Sequence, residues 1–118
     1  MNDASLVRVA EAFCRHRFAE TYAFLDDDVE WRIVGTETLQ GKDAVVARCE
    51  QSAADLAQLS TTFHEFRVIE ADGHAVVESL ADYAGAAGTF HVASCDLFDF
   101  ADGRVRAIAS FTVALDDG

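Results

Sequence analysis

The spacing of apolar residues changes once along the chain, from the spacing of helices to the alternation of strands. In the first half, two segments carry apolar stripes at helical spacing, and they predict one helix near the amino end and another over residues 43–59. The first stripe consists of Leu6, Val9, Ala10, Phe13 and Cys14. A further short helix is predicted over residues 19–25. The chain therefore supplies three helices before the pattern changes.

The segment between these helices carries one strand signal. Residues 29–33 alternate apolar and charged side chains, which predicts a half-buried strand. The acidic run at residues 26–28 before it is typical of a solvated surface turn. The glycines at the ends of residues 35–41 predict a break after it.

Strand patterns occupy the second half of the chain. Strands are predicted over residues 62–69, 75–83, 90–100 and 105–115. Asp72-Gly73 and Asp102-Gly103 are typical hairpin turns, and a looser turn is predicted over residues 85–88. Helices followed by hairpin-linked strands predict an α+β fold whose antiparallel sheet curves against the helices.

Length, charge and residue composition limit the classes of function that the chain could have. A length of 118 residues predicts a single domain, 1–118. The net charge of −12 makes a nucleic-acid partner unfavourable, and no apolar run approaches a membrane span. The amino end has no signal-peptide pattern, and three widely spaced cysteines are typical of reduced core thiols, so we expect a cytoplasmic protein. The four histidines have no recognised metal spacing and no glycine-rich loop could hold a phosphate, so we predict neither metal nor cofactor.

Asp96 is the strongest candidate for chemistry. Alternation places it on one face of its strand with Phe90, Val92, Ser94, Phe98 and Phe100. A carboxyl group in apolar surroundings is costly to ionise, so its pKa should rise and it could donate a proton near neutral pH. The alternative is a structural role, in which Asp96 caps a buried backbone group or pairs with an arginine.

Two segments of the chain carry a family resemblance. Val29-Glu30-Trp31 with Gly41-Lys42-Asp43-Ala44-Val45, and the run of residues 95–105 from Cys95 to Val105, resemble the SnoaL-like proteins of the nuclear transport factor 2-like superfamily. The resemblance spans about residues 6–115. It implies a cone-shaped α+β barrel of the cystatin-like kind, with three N-terminal helices on a curved antiparallel sheet and a pocket between them. It also implies a homodimer through the outer face of the sheet.

The resemblance bears on individual residues as well. By this resemblance, Asp96 stands where polyketide cyclases of this type keep an acid/base aspartate and where ketosteroid isomerase keeps the protonated aspartate of its oxyanion hole. Trp31 stands where that isomerase has its base, and Ser110 where limonene epoxide hydrolase has its water-activating aspartate. The first helix also lacks the isomerase's tyrosine. These departures argue against steroid isomerisation and epoxide hydrolysis.

Two functions remain open from the sequence. In the first, a cofactor-free isomerase, cyclase or lyase moves a proton on a small hydrophobic carbonyl compound, with Asp96 as acid and His64, or Asp82, as base. In the second, the protein binds a small molecule without catalysis, or is a structural homodimer. The predicted substrate-binding residues are Tyr22, Trp31, Asp82, Phe98, Ile108, Ser110 and Thr112. We predict His91 at a subunit contact and His16 exposed on the first helix.

Overall fold

The computed structural model describes residues 3–115 and confirms the α+β class. Helix α1 spans Asp3–Cys14, a 3-10 helix spans Phe18–Phe24, and α2 spans Lys42–Leu56. The α1 stripe predicted from the sequence is buried. Strands β1 (Leu25–Ile33) and β2 (Glu37–Gln40) lie between the second and the third helix, and β1 contains the strand predicted over residues 29–33. The remaining strands are β3 (Ser60–Ala71), β4 (His74–Gly85), β5 (Gly88–Ala101) and β6 (Arg104–Leu115).

The six strands form one curved sheet in the order β2-β1-β6-β5-β4-β3. The pairs that are adjacent in sequence from β3 to β6 are antiparallel, as the hairpin signals predict. The pair β1–β6 is parallel, which makes the sheet mixed. The carboxyl-terminal strand thus lies inside the sheet and joins the β1–β2 hairpin to the four-strand meander.

Two local predictions are wrong. The acidic run at residues 26–28 belongs to β1, in a stretch where the register with β6 shifts between Leu25 and Glu30. The Asp26 carboxylate accepts a hydrogen bond from the Asp28 amide at 2.8 Å, which stabilises this irregular backbone locally. The predicted break at residues 35–41 contains β2, whose single apolar residue, Leu39, gives no alternation to detect.

Aromatic packing joins α1 to the concave face of the sheet. The Phe13 ring packs edge-on against Phe18, Trp31 and Phe98, with centroid distances between 5.0 and 5.7 Å. Such edge-to-face pairs add about 0.5–1.5 kcal/mol each beyond their area burial. Phe13, Phe18 and Trp31 of this cluster also line the cavity described below.

Candidate functional site

A cavity of about 380 Å³ lies between the helices and the concave face of the sheet. Its wall combines aromatic and aliphatic side chains with polar groups that point inward, as in many small-molecule sites. The lining residues with polar side chains are Cys14, His16, Trp31, Thr36, Arg48, Ser52, Ser79, Tyr83, Ser94, Asp96, Ser110 and Thr112. Of the predicted substrate-binding residues, Trp31, Ser110 and Thr112 line this cavity.

Asp96 faces the cavity from β5 and is held by two neighbouring side chains. Its strand stays regular through Asp99, so the alternation predicted from the sequence places it inward. Burial raises the pKa of the Asp96 carboxyl, and hydrogen bonds from the Ser110 hydroxyl and the Cys14 thiol oppose that rise. Asp96 in turn helps burial to raise the pKa of Cys14 well above its ordinary value. Cys14 is thus not only a core thiol but a partner of the candidate acid.

Ser110 connects Asp96 to Trp31. The Trp31 indole N–H donates to the Ser110 hydroxyl oxygen at 2.9 Å, across 79 residues of sequence. The serine hydroxyl has one proton, which it gives to Asp96. Both side chains are 7% exposed, so the relay is shielded from bulk water. It holds the Asp96 carboxyl in the cavity wall.

His16 also lines the cavity, which corrects the prediction that it is exposed on α1. Helix α1 ends at Cys14, and His16 adopts a left-handed conformation with φ of 67°. The Arg17 amide donates to the Ala12 carbonyl and the His16 amide to the Phe13 carbonyl, the two bonds of a Schellman motif. This turn redirects the His16 side chain from the helix surface into the cavity.

The His16 imidazole is enclosed by aromatic rings. Its centroid lies 5.6–5.9 Å from those of Phe18, Phe63 and Tyr83. Burial lowers the pKa of His16, so the neutral ring is favoured, and its Nε2 lies 3.5 Å from the Tyr83 hydroxyl. The sequence does contain a signal for this placement: the apolar stripe stops at Cys14, and histidine tolerates the left-handed region better than most residues.

Arg48 lies on the α2 side of the cavity. Its Nε is 3.3 Å from a Glu37 carboxylate oxygen, and its Nη1 donates to the Ser52 hydroxyl at 2.8 Å. The side chain is half-buried. Among residues 3–115, no other lysine or arginine lines the cavity. Sequence analysis missed Arg48, which is a polar residue on a helix with no distinguishing pattern.

The structure does not bring His64 or Asp82 to Asp96. β3 carries an irregularity between Phe63 and Glu65, and the extra residue turns His64 to the outer face of the sheet. There, His64 Nε2 lies 2.6 Å and His91 Nδ1 2.5 Å from the two carboxylate oxygens of Asp82. Hydrogen bonds from these two histidines lower the pKa of Asp82. His91 faces away from Asp96, as predicted.

Three further residues predicted to contact substrate lie outside the cavity. Phe98 and Ile108 point inward but are core residues, 1% and 2% exposed. Tyr22 donates its hydroxyl proton to Glu50 on α2 at 2.8 Å, and burial with that bond raises its pKa. Its position follows from the 3-10 helix, which contacts both α1 and α2.

Other kinds of site are not formed by the residues that the structure describes. Within residues 3–115, no group of three or more His, Cys, Asp or Glu side chains could hold a metal ion. No helix in that part of the chain is long and apolar enough to cross a membrane. Cys14, Cys49 and Cys95 are all free thiols.

Comparison with known proteins identifies the family. The chain is similar to an NTF2-like protein of unknown function from Cytophaga hutchinsonii, with 26% identity, a TM-score of 0.80, and coverage of 90% of this chain and 94% of the other. A candidate polyketide cyclase from Xanthomonas campestris pv. campestris gives 18% identity, a TM-score of 0.71, and coverage of 91% and 87%. An LEH-like epoxide hydrolase from M. tuberculosis gives 18% identity, a TM-score of 0.66, and coverage of 91% of this chain and 81% of the other. No curated protein matches the sequence significantly. The SnoaL-like domain model matches residues 6–108, and the chain therefore belongs to the SnoaL-like family.

Proposed function

We propose that this protein is a cofactor-free enzyme that moves a proton on a small cyclic or aromatic carbonyl compound. The observation that carries the proposal is the presence of Asp96 and His16 in one cavity, with their pKa values shifted toward each other. The shared fold with a candidate polyketide cyclase supports a reaction of this class. His16 takes the role of base that the sequence had suggested for His64.

In an enolisation, His16 would act as the base and Asp96 as the acid. A nitrogen of neutral His16 accepts the proton α to the carbonyl, and the C–H bonding electrons form the carbon–carbon double bond. The carbonyl π electrons move to oxygen, which takes a proton from Asp96. The protonated His16 then returns a proton to the same carbon or a conjugated one while the enol oxygen returns its proton to Asp96, which completes exchange or isomerisation and restores both groups. The active form needs neutral His16 and protonated Asp96, so the rate should fall in acid and in base.

Deuterium exchange tests this proposal without a known substrate. We expect the protein to accelerate exchange of the α protons of α-tetralone in D2O, followed by proton NMR. Asp96→Asn and His16→Gln should each lose roughly 100-fold or more of that acceleration, the usual contribution of a positioned acid or base. His74→Gln is the matched control, because His74 pairs with Asp99 at an exposed hairpin. Undiminished exchange in Asp96→Asn would contradict the proposal.

Binding without catalysis is the second candidate function. It is favoured by the hydrogen bonds that Asp96 receives from Ser110 and Cys14, because a carboxyl group held in this way can orient a ligand without transferring a proton. In that case α-tetralone should quench the fluorescence of Trp31, the only tryptophan, with no exchange above the buffer rate. Binding with exchange would exclude it.

We further propose a cytoplasmic homodimer that pairs through the outer face of the sheet. Three free thiols support the compartment. Exposed apolar side chains support the interface: Leu97, Phe111, Val113 and Leu115 alternate away from the cavity on β5 and β6. Leu97→Glu should give a monomer in analytical ultracentrifugation, whereas Ala54→Glu on the exposed surface of α2 should not. A monomeric wild type would contradict the dimer.

A further inference from the structure

We infer that the ligand carries a carboxylate, and that Arg48 binds it at the α2 side of the cavity. The inference rests on the proposed function, because it assigns the second polar end of the same carbonyl compound. It follows from the position of Arg48, its hydrogen-bonding capacity and the charge of its surroundings.

Position is the first argument. Arg48 belongs to α2, which packs on β1 and β2, whereas Asp96 belongs to β5. In the sheet, β6 alone separates β1 from β5, so the strand beneath α2 and the strand of Asp96 are two inter-strand spacings, roughly 10 Å, apart. One or two rings could bridge that distance, with a carbonyl at Asp96 and an anionic group at Arg48.

Hydrogen-bonding capacity is the second argument. A guanidinium group has five N–H donors in a planar fork that matches a carboxylate. The described contacts use Nε toward Glu37 and Nη1 toward Ser52. These two partners hold the guanidinium in a defined orientation at the cavity wall, and Nη2 is left to donate to a ligand oxygen.

Charge is the third argument. The chain carries a net charge of −12, so its overall field repels an anion, and only a local cation can hold one. Within the described lining of the cavity, Arg48 is the one lysine or arginine and Asp96 is the one residue with a carboxyl group. Glu37 lies outside the lining and competes with the ligand for Arg48. The cavity therefore has one cationic end and one acidic centre.

The test compares two ligands that differ by a single charge. p-Acetylbenzoate and its methyl ester have the same ring and ketone, and their dissociation constants can be measured by quenching of Trp31 fluorescence. We expect wild type to bind the acid about 10-fold more tightly than the ester, as a charge-assisted hydrogen bond to a half-buried group would give.

Three variants separate the role of Arg48 from a general charge effect. Arg48→Gln should abolish the preference for the acid, and Glu37→Gln should increase it, because the competing carboxylate is removed. Arg67→Gln is the matched control, since Arg67 pairs with Glu78 and both are exposed. Circular dichroism confirms that each variant is folded.

Each outcome decides the inference. Equal binding of acid and ester, no binding of either, or a preference that survives Arg48→Gln would overturn it. Deuterium exchange of the methyl ketone protons in the same samples tests the proposed function separately. A carboxylate preference without exchange would uphold the Arg48 site and reject proton transfer.

Discussion

Replacing Ser110 by alanine tests the relay that links Trp31 to Asp96. The substitution removes one oxygen, which accepts from the indole N–H at 2.9 Å and donates to the carboxyl. The backbone of β6 stays paired on both sides, with β1 and β5, so the strand itself should be unchanged. The effect therefore reports the side-chain bonds.

The expected magnitude follows from burial of the indole. Trp31 is 7% exposed, so its N–H would be left with little access to bulk water. A buried donor without a partner costs about 1–3 kcal/mol. A water molecule entering from the cavity would bring the loss to the lower end of that range. The Asp96 pKa should rise further, because one of the two bonds that lower it is gone.

Urea unfolding followed by circular dichroism measures the change in stability, and carboxyl NMR titration measures the pKa of Asp96. Ser60→Ala is the control, since Ser60 is exposed at the start of β3 and its replacement should change stability by less than about 0.5 kcal/mol. A double-mutant cycle with Trp31→Phe isolates the indole bond. The reasoning is refuted if Ser110→Ala leaves both the unfolding free energy and the Asp96 pKa unchanged.

Substitutions at Asp96, His16 and Gly41 test three further predictions, each of which concerns the stability of the folded protein. Because the pKa of Asp96 is raised, the native state keeps this proton at pH values above 3.8, the ordinary pKa of aspartate, where the unfolded state has lost it. The free energy of unfolding of the wild type should therefore fall as the pH rises from 3.8 through the native pKa of Asp96. Asp96→Asn should remove this fall, and urea midpoints between pH 4 and 8 check it; parallel curves for both proteins would contradict it. His16→Ala should be about 1 kcal/mol less stable than His16→Gly, because both lose the ring but only alanine strains the left-handed turn; equal thermal midpoints would count against that strain. Gly41 has φ of 89° and ψ of 152°, a region essentially confined to glycine, so Gly41→Ala should lose about 1–3 kcal/mol in a thermal melt, and an unaltered melt would argue against it.

Regular strands are where sequence analysis succeeds. The position of Asp96 is predictable because β5 alternates without interruption up to Asp99 and its inward neighbours are small or apolar. The glycine-containing hairpin turns likewise follow from local backbone preference. The α1 stripe is predictable because its apolar residues are spaced for a single buried face.

Departures from regular geometry account for the errors. A one-residue irregularity in β3 turns His64 to the outer face, and the left-handed turn after α1 brings His16 inward. Neither change alters composition or average periodicity. The pairing of Arg48 with Glu37 joins α2 to β2, so it depends on tertiary packing that no short window of sequence contains.

The internal position of β6 constrains how the chain can fold. β6 bridges β1 and β5, and the Trp31–Ser110 bond joins residues 79 apart in sequence. At typical translation rates, roughly 4–16 s separate the synthesis of those two residues. During that interval the β1–β2 hairpin has no sheet to join, and an isolated hairpin is only marginally stable. The cavity wall includes residues of β1, β5 and β6, so the cavity cannot form during synthesis until β6 has been made. Folding should therefore be limited by the non-local pairing of β6 with β1.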